Sequence, residues 1–193
     1  MGKKLPGKNV DDVLNQSYSR VLNWFFEYPD IRIGLTDLSE RLGISKTTAK
    51  RIVQQLVGEK FLFVEEIGRV WQIQCNKRHP HNITRKIAHN LTLVYESGIL
   101  PEVHRTIPGA KSIILFGSYR KGDDTEKSDI DIAVEVTGNE PQKLVELGTI
   151  GQIGYRSNVK VNLFVFSRSK IDINLFSNIA NGIVLEGFLE VRP

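Results

Sequence analysis

The chain has 193 residues, 40% hydrophobic and 25% charged, with a formal net charge of +4. Those proportions suit a globular protein of one domain or two small ones. The single cysteine, Cys75, excludes an intramolecular disulfide framework and reads as a packed thiol. No run approaches the ~18 apolar residues of a transmembrane helix, and no apolar stretch follows the charged N-terminus. A cytoplasmic protein without membrane association is therefore expected.

Charge is uneven along the chain. Residues 1–90 carry 15 Lys and Arg against 9 Asp and Glu, while residues 91–193 carry 11 against 13. The basic half suits a polyanionic partner and the acidic half a carboxylate metal site.

Asp11 or Asp12 can cap a helix whose apolar stripe runs through Val13, Leu14, Tyr18, Val21, Leu22, Phe25 and Phe26, ending at Pro29. Ile31 to Leu35 reads as a short strand. Thr36 caps a short helix, Gly43 breaks it, and Ser45 caps a second. Leu38, Leu42, Ile44, Ala49, Ile52, Val53 and Leu56 provide the contact between the two, which is a helix-turn-helix pattern. After Gly58, residues 61–75 read as two strands joined at Ile67-Gly68-Arg69. A helix-turn-helix followed by a hairpin resembles the winged-helix DNA-binding family. The resemblance implies that Ser45, Lys46, Thr47, Thr48, Lys50 and Arg51 face the major groove of double-stranded DNA, with Arg69 as the wing-tip cation. It also allows a homodimer that reads two half-sites, or a module that docks protein instead of DNA.

Residues 74–80 read as a linker. A helix from about Asn82 to Ser97 follows, with Ile83, Ile87, Asn90, Leu91 and Val94 on one face, Gly98 as its stop and Pro101 beyond. This helix is expected to bridge two domains, giving a winged helix over 1–78, a linker helix over 79–107 and a second domain over 108–193.

The richest stretch is Ser112 to Val136. An apolar strand runs into Gly117-Ser118, a polar loop follows, and a second apolar strand carries Asp129-Ile130-Asp131. Strand side chains alternate, so Asp129 and Asp131 share a face, roughly 6.5–7 Å apart along it. Ile130 and Ile132 point to the other face. Two carboxylates on one face suit Mg²⁺, which binds through one or two carboxylates plus substrate phosphates. The Gly-Ser turn lets backbone N–H groups approach a phosphate. Arg120 and Lys121 follow it and could neutralise further phosphate charge. Beyond this, Asn139 to Ile153 is expected to form a helix, residues 159–166 a third strand and residues 172–181 a final helix, and Ile183 to Gly187 looks like a closing segment.

Apolar strand, Gly-Ser, about ten residues, then Asp-x-Asp: this order resembles the nucleotidyltransferase superfamily typified by DNA polymerase β, and in particular its minimal branch. The resemblance runs from near Lys111 to the C-terminus. It implies an α/β (α+β) protein, an N-terminal winged helix plus a C-terminal mixed-sheet nucleotidyltransferase domain. It further implies transfer of a nucleoside monophosphate from ATP or another nucleoside triphosphate to a hydroxyl, with release of pyrophosphate. Two Mg²⁺ ions would be held by Asp129, Asp131 and a third carboxylate on a later strand, and Gly117 and Ser118 would hold the β and γ phosphates. Minimal members often modify a partner toxin of the HEPN family, so a protein acceptor is one implication.

The third acid is where the chain departs from the pattern. The matching position falls on Asn162, which carries no charge and cannot take a proton. No Asp or Glu lies between Glu146 and Asp172, so a slipped alignment does not restore it. Glu135 shares the strand face of Asp131 but lies roughly 13 Å away. Either solvent or substrate provides the base, or another acid substitutes, or the domain has kept nucleotide binding without transfer and acts as part of a DNA-binding regulator.

Overall fold

The computed structural model describes residues 10–139 and 141–191, with side chains from residue 15 onward. The residues through His79 and those from Pro80 onward form two compact units.

In the first unit, α1 (Val10–Glu27) buries Val21, Leu22, Trp24, Phe25 and Phe26. A buried side chain of this size contributes about 1.5–3 kcal/mol. The expected stripe is therefore present from Val21 on, while the side chains of Asp11, Asp12, Val13 and Leu14 lie outside the described residues. Only β1 (Ile33–Gly34) pairs as a strand, because α2 (Leu35–Leu42) already begins at Leu35. Gly34 holds the cap position, so Thr36 lies in the first turn and does not cap the helix. Instead its carbonyl accepts from the Ser39 hydroxyl. Gly43 separates α2 from α3 (Lys46–Gly58), and Ser45 caps α3 by accepting the Thr48 N–H. β2 (Leu62–Ile67) and β3 (Val70–Cys75) form a hairpin whose two-residue turn is Gly68-Arg69. β1 pairs with the outer side of β3, giving the order β1-β3-β2. Leu38, Ala49, Ile52, Val53, Leu56, Phe61, Ile73 and the thiol of Cys75 are buried. This is the helix-turn-helix and hairpin that the sequence pattern implies.

The second unit opens with a 3-10 turn (Pro80–Ile83), followed by α4 (Arg85–Glu96) and α5 (Ile99–Thr106). The helix expected over 82–97 with Gly98 as its stop is present as α4, and a second helix that the sequence reading did not separate from it, α5, follows Gly98. Pro101 lies beyond α4 as expected and also falls within the first turn of α5, where its missing N–H has no intrahelical partner to lose. Both helices pack their apolar faces into the second unit: Val94, Ile99 and Val103 join its core, so α4 is part of this unit.

The sheet contains β4 (Ala110–Phe116), β5 (Ile130–Val136), β6 (Lys143–Ile153), β7 (Arg156–Ser167) and β8 (Ile183–Gly187) in the order β6-β7-β5-β4-β8. β5 and β7 run parallel and the other pairs are antiparallel. One face, with Ile113, Leu115, Ile130, Ile132, Val161 and Leu163, packs on α4 and α5. The other, with Ile114, Phe116, Ala133 and Phe166, packs on α7 (Ile173–Ala180), which Asp172 caps through the N–H groups of Asn174 and Leu175.

The helix expected over 139–153 does not form; residues 143–153 are β6. Leu144, Val145, Leu147 and Ile150 fit either period once a bulge is allowed. The β-branched residues Val145, Thr149, Ile150 and Ile153, with Gly148 and Gly151 among them, favour strand over helix. A two-residue turn at Gly154-Tyr155 then pairs β6 with β7.

Candidate functional site

β4 delivers Phe116 directly opposite Asp131 of β5, and the parallel pairing of β5 with β7 sets Asn162 beside Asp131. Asp129 stands just before β5. Alternation places Asp131 and Asn162 on the face that also carries Ala133 and Phe164, opposite the α4–α5 face. The Asn162 amide nitrogen donates to Asp131 Oδ1 at 3.2 Å and to Asp129 Oδ2 at 3.4 Å. One N–H donor group therefore stands between two carboxylates.

At Gly117 the chain turns sharply from β4 into the short helix α6 (Gly117–Lys121), with φ +71°. A Cβ there would come 2.5 Å from Asp131 Oδ2, so only glycine fits. Ser118 and Arg120 are half-buried and Lys121 is exposed.

Electrostatics mark Asp131. Partial burial pushes its carboxyl above the ordinary value, the Asn162 hydrogen bond opposes that rise, and the Asp129 charge adds to it. Among the described residues the partner of the two carboxylates is the neutral Asn162 amide, and no cationic side chain pairs with either. Two convergent carboxylates with an open glycine turn before them fit a hard divalent cation. Among the described residues no group of three His, Cys, Asp or Glu side chains gathers as a metal site, so the geometry at Asn162 lacks a third charge.

In the first unit, Lys46, Thr47, Lys50, Arg51 and Arg69 are exposed. Leu35, Thr36, Lys46, Thr47, Lys50, Arg69, Val70 and Trp71 enclose a groove of about 430 Å³ between α3 and the hairpin. The Lys50 ammonium lies 5.4 Å from the Trp71 ring centre. Ser45 and Thr48 share a hydroxyl hydrogen bond of 2.8 Å as well as the cap, so they shape the start of α3. Arg51 does not line the groove.

Family models match two segments. Residues 19–63 match an IclR helix-turn-helix domain, and residues 97–175 match a nucleotidyltransferase domain. The chain carries a helix-turn-helix domain and a nucleotidyltransferase domain. It is also 66% identical over 29 residues to a Methanocaldococcus jannaschii protein named "Putative protein adenylyltransferase MJ1379"; the match spans 15% of this chain and 29% of that protein. No helix among the described residues is long and apolar enough to cross a membrane.

The nucleotidyltransferase domain holds its loop between Gly117 and Asp129 with a buried polar network that sequence reasoning missed. Asp124 is buried, and its Oδ1 lies 3.2 Å from the Lys86 ammonium and 2.8 Å from the Asn90 amide nitrogen. Asn90 also donates to the Tyr119 carbonyl at 3.0 Å, and Lys86 donates to the Asp124 carbonyl. Burial pushes the Asp124 carboxyl up despite Lys86, whose charge is the largest opposing effect. From β7, Arg156 donates to the Tyr119 hydroxyl at 2.6 Å and to the Ser128 carbonyl, the residue before Asp129. The two ends of the loop are thereby fixed from α4 and from β7. A signal was present: Lys86 and Asn90 fall in an apolar helix pattern, where polar residues require partners. Glu135 is buried, accepts from the Ser112 hydroxyl at 3.1 Å and lies 3.5 Å from the Lys111 ammonium, so it is engaged away from the aspartate pair.

Proposed function

We propose that the protein is a Mg²⁺-dependent nucleotidyltransferase that moves a nucleoside monophosphate from a nucleoside triphosphate to a hydroxyl acceptor, and that its helix-turn-helix domain contacts double-stranded DNA. The observation that carries this reading is the convergence of Asp129 and Asp131 in front of the Gly117 turn. In this reading the two aspartates hold the cation, and bound Mg²⁺ provides charge neutralisation at the triphosphate. Gly117 and Ser118 receive the β and γ phosphates, and Arg120 and Lys121 offset part of their remaining charge. The α-phosphorus is thereby presented to the acceptor hydroxyl, and the buried network around Asp124 and Arg156 keeps the loop in register for that presentation.

The short match to a protein named as an adenylyltransferase supports ATP as donor and a protein hydroxyl as acceptor; a HEPN-type toxin is one such acceptor by family analogy. Lys46, Lys50 and Arg69, with Arg51 nearby, form the cationic surface for DNA phosphates, and two copies of the chain would match a site of two halves. The protein would act in the cytoplasm. ATP labelled at the α-phosphate, but not at the γ-phosphate, is expected to mark the acceptor, and Asp129→Ala is expected to abolish the label. Equal labelling from both positions would overturn the reaction assigned.

A second reading has one specific observation behind it, the uncharged Asn162 between the two aspartates. There the domain binds nucleotide or a partner protein without transfer, and the chain is a DNA-binding regulator. Nucleotide binding without any label transfer to partner proteins would favour it.

A further inference from the structure

We propose, given the reading of the site above, that the cavity between the start of β6 and α7 receives the base of the donor nucleotide. About 200 Å³ of space opens there, lined by Gln142, Lys143, Leu144, Phe164, Leu175 and Ile179 among others. It lies on the sheet face that carries the aspartate pair. Asn162 and Phe164 alternate along β7 onto that face, roughly 6.5–7 Å apart along the strand. Leu144 of β6 is the direct partner of Phe164, as Asp131 of β5 is of Asn162. Phe116, which stands opposite Asp131, meets the Phe164 ring edge to face at 5.1 Å. One strand step and one aromatic contact therefore join the phosphate end of the site to the cavity. That is the kind of interval a ribose spans between its phosphate and its base.

Size, lining and polarity each favour a base. Cavities that enclose a whole drug-sized ligand run to about 300–1,000 Å³, so this smaller one takes a single ring system. The sugar and phosphates then lie outside it, over Asn162 and the Gly117 turn. The lining of Phe164, Leu144, Leu175 and Ile179 is aromatic and aliphatic. Every base has a π-face that can stack on such a surface, whatever its hydrogen-bonding edge. Leu144 is exposed at the rim, so an entering base removes apolar surface from water on both sides. The rim also carries a donor. The Gln142 side-chain oxygen accepts the Asp172 N–H at 3.1 Å, and its amide nitrogen makes no hydrogen bond among the described residues. Such a donor suits a ring nitrogen or a carbonyl oxygen on the edge of a base.

A second cavity of this domain does not compete for the role. It is lined by Ile99, Glu102, Ile150 and Val161 and opens against α5, so the sheet separates it from the aspartates. With the base held over Phe164 and the outer phosphates at Gly117, the α-phosphorus is fixed between two anchors, which is what positions it for an acceptor.

The test uses the full chain and two probes, ATP and inorganic tripolyphosphate, each titrated with Mg²⁺ present. Tripolyphosphate has the phosphates without the base. The wild type is expected to bind ATP more tightly than tripolyphosphate. F164A is expected to weaken ATP by about 5–150-fold and to leave tripolyphosphate unchanged. L144W, which fills the cavity from its exposed rim, is expected to do the same without lowering the melting temperature. Phe164 touches Phe116, so loss of both probes in F164A would report a disturbed phosphate end, and L144W then decides. ATP bound by either variant as tightly as by the wild type overturns the base site and leaves the nucleotidyltransferase reading standing. Equal affinity of the wild type for the two probes does the same. A wild type that binds neither probe overturns that reading, and the base site falls with it.

Discussion

Asn162 donates its side-chain amide to Asp131 across the parallel β5–β7 pair at 3.2 Å, so a neutral donor occupies the centre of the acidic site. The hydrogen bond offsets part of the cost of an ionised carboxylate that is partly buried and close to Asp129. The folded state nevertheless holds the Asp131 proton more tightly than the unfolded chain does.

The sign of a pH effect follows. With the folded value raised, ionised Asp131 destabilises the fold as pH rises through it, and the penalty is absent in acid where both states are protonated. Asp131→Asn is therefore expected to raise the melting temperature at neutral pH and to leave it unchanged in acid. Mg²⁺ should stabilise the wild type at neutral pH but not the variant. Thermal melts at several pH values, with and without Mg²⁺, check both points.

Gly117→Ala places a Cβ where Asp131 Oδ2 already stands, in a backbone conformation that disfavours any side chain. A cost of about 1–3 kcal/mol in stability is expected from the backbone strain. Loss of nucleotide binding should accompany it, because the turn and the carboxylate move together. Denaturant unfolding and an ATP titration on the same sample measure the two effects.

Lys86 and Asp124 form a buried ion pair. Removing one partner strands the other, at a cost of about 3–5 kcal/mol. Lys86→Met should therefore destabilise the nucleotidyltransferase domain strongly, and Lys86→Met with Asp124→Asn should recover part of the loss. Urea midpoints of the single and double variants decide whether the pair is coupled.

In the helix-turn-helix domain, Lys46→Ala with Lys50→Ala removes two cations from the groove wall. DNA affinity should fall, and the slope of log affinity against log salt should flatten by about 1 for each DNA phosphate that is no longer neutralised. A wild type with no salt-dependent DNA affinity would point to protein docking by the same surface.

Much of this structure was legible in the sequence because the signals were local. The Ser45 cap, the Gly43 break and the hairpin turn at Gly68-Arg69 each follow from residues within a few positions of one another. The Gly117 turn and the nearness of Asp129 to Asp131 were legible for the same reason, although Asp129 stands just before β5 and not on it. The errors arose where tertiary pairing decided. Residues 143–153 carry apolar positions compatible with a helix, and it is the edge of β7 that draws them into a strand. That one change of period moves Glu146 from an expected helix to the position opposite Asn162. The helix over 82–97 was recognisable, but its role was not, since Lys86 and Asn90 find Asp124 only when the chain returns after more than thirty residues.

The most direct test of the aspartate pair as a metal–nucleotide site is a calorimetric titration of ATP into the wild type and Asp129→Ala, each with and without Mg²⁺. Saturable binding that requires both Mg²⁺ and Asp129 is the expected result. Equal binding in all four titrations, or none in any, would contradict the site.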